Sequence, residues 1–383
     1  MIHTDEFTER RGQARAAARE AGLDALLVVG RSFYDRCGDV AWLTNHFPPF
    51  PACVFDEQIR GMGHALFLLS ADEHVAPTLL VDGRAHRADL VTVEDVRASN
   101  NLSAALIELM RERNLTRAAI GIVGDDILPT AMYRDVTRGC PEVRWAPSDE
   151  LLVPLRSVKS AAEQQLLAEA AVVADATLRA ALDAIGPGAK ESDVCAAGMH
   201  GAYAAGADFV RYLRVHSGPW SAWSSRWPQA TERVIEAGDV VTLDAIGAKN
   251  GYQFDVLRTT VCGRVNDDQR RMLEAVLRAV DKLVDAARPG TLAEDLSHLA
   301  REFLTADGFG KYASPFVGHG IGLETCEHPY LLPGVTRELV ENMVLCIEPG
   351  INIPDVAGCS IEQEVVVTPH GGRVITETPV VWW

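Results

Sequence analysis

Four carboxylates and one imidazole in the C-terminal half of the chain could do chemistry together: Asp244, Asp255, His319, Glu348 and Glu362. Asp244 and Asp255 lie in VVTLDAIGAKNGYQFDVLRTTV, where apolar runs flank Asn250-Gly251, a strong β-hairpin signal. They are 11 residues apart. In an antiparallel pair closed by a loop of even length, residues an odd number apart can share a face, because strand side chains alternate. Two carboxylates so placed repel unless a cation or a shared proton lies between them. The plainer reading is two solvated charges on an exposed face. The apolar neighbours Val241, Leu243, Val256 and Leu257 weaken it.

His319 sits in FVGHGIGL with glycines at 318, 320 and 322, a spacing that lets backbone pass close to something and leaves the ring unobstructed. A lone histidine is more often a satisfied core residue than a ligand, and the glycines tip the reading toward ligand. Glu348 ends the apolar run MVLCI before a Pro-Gly turn, and Glu362 lies inside another apolar run. A buried glutamate is rarely tolerated without a partner. Each could instead pair with an arginine, Arg258 being one candidate. The five groups together are the donor set expected for a pair of divalent cations. Their oxygens favour a manganese-like ion over a thiolate-bound zinc, and cobalt, iron or zinc would also fit.

These residues need elements to position them. Residues 5–21 and 102–113 read as helices, and 25–29, 65–69, 79–81 and 118–123 as strands, the alternation of an α/β domain. FPPFP at 47–51 must be loop. The texture changes near 155. Ser160 and Glu163 form a capping box, followed by a long helix with Leu167, Ala171, Ala174, Leu178 and Leu182 on one stripe. A second helix is predicted at about 191–205. Strands follow to about 263, two helices at about 267–306, and strands again at about 343–377. Segregated runs of this kind predict an α+β domain, and their recurrence hints at an internal duplication. The predicted domains are 1–154 and 155–383.

The stretches GDVVTLDAIG, GYQFDVLRT, GHGIGL, IEPG and IEQEVVVT, in this order, resemble the pita-bread metallopeptidase family of methionine aminopeptidase, aminopeptidase P, prolidase and the non-peptidase creatinase. LRSVKSAAE looks like the entry to that family's catalytic domain. The resemblance implies an α+β fold, a C-terminal pita-bread domain preceded by a smaller α/β domain of the creatinase/prolidase type. It implies two metal ions on Asp244, Asp255, His319, Glu348 and Glu362, with Glu348 also moving a proton. It also implies a homodimer in which the N-terminal domain of one subunit helps to cover its partner's site.

Two histidines of the peptidase pattern are missing. The loop before the first metal strand, SGPWSAWSSRWPQATERVIEAGD, has none, and the matching place falls near Ser225. Seven residues after His319 stands Cys326, with His328 displaced by two. Losing such a contact typically costs a few kcal/mol of transition-state stabilisation. His328 or His216 could substitute as catalytic groups, Cys326 could have a role of its own or be a packed thiol, or the substrate is not a peptide. Trp220, Trp223 and Trp227 crowd the same loop, either as a core or dimer contact or as an aromatic wall for a flat, apolar or cationic molecule. With Cys326 and Arg258 they form the candidate substrate-binding set.

Composition narrows the partners. With 36 Lys and Arg against 53 Asp and Glu, the formal charge of −17 disfavours nucleic acid and anionic lipid. No run of about 20 apolar residues could span a membrane. The N-terminus has no signal-peptide core, so a cytoplasmic location is the default expectation. The eight scattered cysteines include no CxxC pair. The leading expectation is a dinuclear metal hydrolase of a C–N bond, by family default an Xaa-Pro peptidase. The alternatives are a small-molecule enzyme in the manner of creatinase, or a lyase, and a binding protein that has lost catalysis.

Overall fold

The computed structural model describes residues 2–50, 58–84, 86–223 and 226–383. The chain divides into two compact units, Ile2–Arg156 and Ser157–Trp383.

The first unit runs α1 (Thr4–Glu20), β1 (Ala25–Arg31), α2 (Gly38–Thr44), β2 (His64–Ser70), β3 (Thr78–Asp82), β4 (Asp95–Ser99), α3 (Leu102–Glu112), β5 (Ala119–Val123), α4 (Thr130–Gly139), β6 (Arg144–Pro147) and α5 (Val153–Ser157). Among the described residues its strands form a six-stranded mixed sheet in the order β4-β3-β2-β1-β5-β6. Strand β1 shows no alternation of buried and exposed positions because both its faces are covered: Ala25 to Gly30 are all buried. The helices α2 and α4 were not predicted. All seven residues of α2 but Asp39 are buried, so it carries no polar face to betray its period. Residues 47–50 are loop, as predicted, and Pro51 lies outside the described residues.

The second unit holds the candidate site. Its order is α6 (Ala161–Asp183), α7 (Glu191–Ala204), β7 (Phe209–Ser217), β8 (Val240–Lys249), β9 (Tyr252–Val261), α8 (Asp267–Ala286), α9 (Ala293–Ala306), then β10 (Gly318–Gly320), β11 (Glu327–Tyr330), β12 (Val344–Ile347), β13 (Gly350–Ile353), β14 (Ala357–Ser360), β15 (Gln363–Thr368) and β16 (Gly371–Val374). A helix pair followed by strands thus occurs twice. The capping box at Ser160 and Glu163 is present, and the predicted stripe from Leu167 to Leu182 is buried, with Ala174, Leu178 and Leu182 in one core with residues of β7, β8 and β9. Among the described residues the sheets are β7-β8-β9, β11-β10-β12-β15-β16 and the hairpin β13-β14, with every paired neighbour antiparallel. No helix among the described residues is long and apolar enough to cross a membrane.

Candidate metal centre

The β8–β9 hairpin sets the first two ligands. Lys249 pairs with Tyr252, which leaves Asn250-Gly251 as a two-residue loop. Both loop residues have positive φ, 52° and 80°, as a type I′ turn requires. The register puts Asp255 opposite Ile246 and Asp244 opposite Leu257. Directly paired residues share a face, so Asp244 and Asp255 project from one side of the sheet. Both are buried, as are His319 and Glu362.

His319 arrives on β10, between β11 and β12. Gly318 and Gly320 make that fit possible. A Cβ on Gly318 would come within 2.0 Å of the Cys346 carbonyl oxygen, and one on Gly320 within 2.5 Å of the His328 carbonyl oxygen. His319 Nδ1 lies 2.9 Å from the Gly320 carbonyl oxygen. A carbonyl only accepts, so Nδ1 carries a proton and Nε2 is the nitrogen left to face the carboxylates. Nε2 is 3.5 Å from Asp255 Oδ2 and 3.5 Å from Glu348 Oε1. Phe316 stacks beside the ring with centroids 6.0 Å apart.

Glu348 follows β12, its backbone N–H donating to the Val317 carbonyl at 2.9 Å. Its side chain keeps 21% exposure, the most open of the ligand set for which side-chain exposure is resolved. Glu362 precedes β15, its N–H donating to the Leu257 carbonyl of β9 at 3.0 Å. The five residues predicted from the sequence therefore converge. Donor atoms of Asp244, Asp255 and Glu362 lie within 4.8 Å of one another, and so do those of His319, Cys346 and Glu362. Glu362 is common to both groups, and its Oε1 is buried with no hydrogen-bond donor among the described residues.

Burial and crowding dominate the electrostatics of the cluster. Burial, reinforced by neighbouring carboxylates, raises Asp244 and Glu362 well above the usual carboxylate range, with Arg214 opposing the rise at Asp244. Burial likewise pushes Glu348 up to about 7 and Glu364 up to about 8. Burial opposes a charge on His319, but its contacts with Asp255, Cys326 and Glu348 prevail and raise it well above its ordinary value. Packed carboxylates with an orphaned oxygen, and an imidazole whose Nε2 faces them, fit divalent metal ions that would take the place of the protons.

Sequence reasoning missed three residues here. Arg214 on β7 donates from Nη1 to Asp244 Oδ2 at 2.7 Å. Glu364, fully buried, accepts the backbone N–H of Asp255 at 2.9 Å. Cys346 donates from Sγ to the Asp255 carbonyl at 3.6 Å. Glu364 had a signal, a second glutamate two places after Glu362 and so on the same strand face.

One expected substrate residue belongs elsewhere. Arg258 is 1% exposed and donates to the carbonyls of Leu257, Glu362 and Thr378 and to Gln363 Oε1. It ties strand ends together inside the protein. Its hydrogen bonds go to amide oxygens, while Glu362 and Glu364 act on it through charge alone. Burial lowers it to about 10.

The remaining candidates sit in different settings. Cys326 is exposed and interacts with His319. The His328 ring packs edge-on against Tyr330, centroids 4.8 Å apart. His216 is buried, with Nε2 3.4 Å from the Pro228 carbonyl oxygen. It lines a cavity of about 280 Å³ with Trp220, Arg226 and Trp227. Arg226 lies over the Trp220 ring at 3.2 Å and near Trp223 at 6.0 Å, so the chain's own cation takes an aromatic face that a ligand cation would use. The place near Ser225 lies outside the described residues.

Comparison with known proteins agrees with this geometry. The model of metallopeptidase family M24 matches residues 165–369, and that of the creatinase/prolidase N-terminal domain matches residues 10–158. An Xaa-Pro dipeptidase of Pyrococcus furiosus is 36% identical over 235 residues, 60% of this chain and 66% of that one. One of Pyrococcus horikoshii is 34% identical over 253 residues, 66% of this chain and 71% of that one. The chain thus spans about two thirds of the length of these relatives. The crystal structure of the Pyrococcus horikoshii prolidase superimposes with a TM-score of 0.83 at 25% identity, covering 97% of this chain and 99% of that one.

Proposed function

The chain belongs to metallopeptidase family M24, and from that premise we propose that it is a metal-dependent hydrolase of Xaa-Pro peptides. The observation that carries the reading is the pair of overlapping buried ligand groups that share Glu362, one of whose oxygens has no donor among the described residues. The relatives named Xaa-Pro dipeptidases support the choice of bond. They do not favour the creatinase-like or lyase alternative.

His319, Glu348, Asp255 and Glu362 would hold one divalent ion, and Asp244, Asp255 and Glu362 the other. Manganese is the ion this oxygen-rich set favours. Bound there, such ions supply a water acidic enough to attack an amide at neutral pH and polarise the scissile carbonyl. Glu348, the least buried of these carboxylates, would accept a proton from the attacking water and hand it to the departing nitrogen. His319 is held to one tautomer by the Gly320 carbonyl, so its Nε2 stays available as a ligand.

Around this centre, Trp220, Trp223 and Trp227 form the wall on which the substrate rests. His216 and His328 take the places of the two missing histidines as polar contacts to the substrate, and Cys326 borders the substrate beside His319. The enzyme is a homodimer, by family resemblance. It works in the cytoplasm, which suits the seven free cysteines among the described residues.

The test is a substrate screen on manganese-loaded protein, setting Xaa-Pro dipeptides beside non-proline dipeptides, guanidino compounds and quaternary ammonium compounds. Cleavage of Xaa-Pro dipeptides that a chelator abolishes and manganese restores is the expected result. Turnover confined to the guanidino or quaternary ammonium compounds would refute the proposal.

A further inference from the structure

Arg214 is placed against the centre by the fold itself. The β7–β8 register sets it directly opposite Asp244. Its Nη1 donates to Asp244 Oδ2 at 2.7 Å, and its Nη2 donates to the Tyr212 hydroxyl at 2.7 Å. The guanidinium carbon lies 4.0 Å from the Tyr212 ring centroid. Register, ring and hydroxyl hold the arginine independently of its bond to Asp244, so it cannot swing away at little cost when another cation approaches. Arg214 also reaches Glu348 through its charge, but its direct hydrogen bond is to Asp244 alone among the candidate ligands. Among the described residues, no lysine or arginine forms an ion pair with Asp255, Glu348 or Glu362; the groups in ion-pair range of Asp255 and Glu348 are the ring nitrogen of His319.

We propose that Arg214 is a resident cation that competes with metal, a specificity-determining residue that weakens the ion position built on Asp244 relative to the one built on His319 and Glu348. This rests on the metal-centre reading above. The physical reason is direct. A carboxylate already paired with a guanidinium has less negative charge to offer, and the fixed positive charge repels a divalent ion a few ångströms away at the reduced dielectric of a buried site. Relaxation and solvent temper that repulsion, leaving a loss of about tenfold to a hundredfold in affinity. At limiting metal the chain carries one ion, and the Asp244 position fills only as the supply rises.

The experiment is a manganese titration of the whole chelator-stripped chain by calorimetry, with metal content of the dialysed protein measured in parallel. The wild-type chain should bind one manganese tightly and a second at least about tenfold more weakly. Arg214→Met, which keeps the stem and removes the charge, should tighten the second step by about tenfold or more and the first by clearly less. Arg214→Gln gives a second neutral variant should the first fail to fold, and Arg214→Lys should retain the weak second step. Two equal steps in the wild type, or a second step unmoved in both neutral variants, would overturn the proposal. Binding of no manganese at all would instead refute the metal centre, a distinguishable outcome.

Discussion

Glu364 Oε1 accepts the backbone N–H of Asp255 at 2.9 Å, so the main chain under one residue of the centre is anchored by a side chain two places from another, Glu362. Both belong to the join between β9 and β15. Glu364→Ala would leave a buried N–H without an acceptor, a loss of about 1–3 kcal/mol. Denaturant unfolding of the chelated protein should register that loss, and Glu364→Gln, which can still accept, should recover most of it. Equal stability of the wild type and Glu364→Ala would show that the hydrogen bond contributes nothing.

The metal-free protein should lose stability as pH rises. Glu348 at about 7, Glu364 at about 8 and the raised Asp244 and Glu362 hold protons in the fold that the unfolded chain has released above about pH 4.5. Over that window the native state binds more protons, so the unfolding free energy falls with pH until the folded values are passed. His319, raised in the fold, acts in the same direction, its contribution being lost as pH climbs through its folded value. The melting temperature of the chelated protein should therefore drop by several degrees from about pH 5 to about pH 8. Manganese should flatten or reverse the trend, because it binds the ionised ligands. A chelated protein that gains stability across this range would contradict the arrangement.

Asp244→Asn removes a charge and an oxygen ligand while leaving the hairpin intact. Manganese content should fall by about one ion per chain and turnover by more than about 100-fold. Full activity in this variant would show that Asp244 is not a ligand.

Cys326 is exposed beside His319, whereas the other described cysteines are buried or half-buried. Iodoacetamide should modify it first and slow turnover, and Cys326→Ser should resist inactivation. Peptide mass mapping would identify the modified thiol. Inactivation of Cys326→Ser at the wild-type rate would place the sensitive group elsewhere.

Arg258→Met should behave as a stability variant. Several carbonyls would lose a charged donor, at a cost of about 3 kcal/mol or more. Calorimetry should show a lowered melting temperature, with KM unchanged in the protein that remains folded. A raised KM with an unchanged melting temperature would return Arg258 to the substrate site.

The five candidate ligands were legible without coordinates because their signals are local. Asn250-Gly251 specifies a two-residue turn, strand alternation then places Asp244 and Asp255 on one face, and the glycines about His319 announce a close approach of backbone. The amphipathic stripe from Leu167 to Leu182 announced its helix in the same way, whereas α2, buried nearly all round, had no period to read. What only the tertiary structure decided is which charge meets which. Arg214 lies 30 residues before its partner Asp244, and nothing local distinguishes it from any strand arginine until the β7–β8 register is set. Arg258 could be matched to the glutamates on paper, yet its guanidinium is aimed by the convergence of β9 with the segments around Glu362 and Thr378. Hairpin register follows from near neighbours. The direction of a long charged side chain follows from whichever distant strands supply its acceptors.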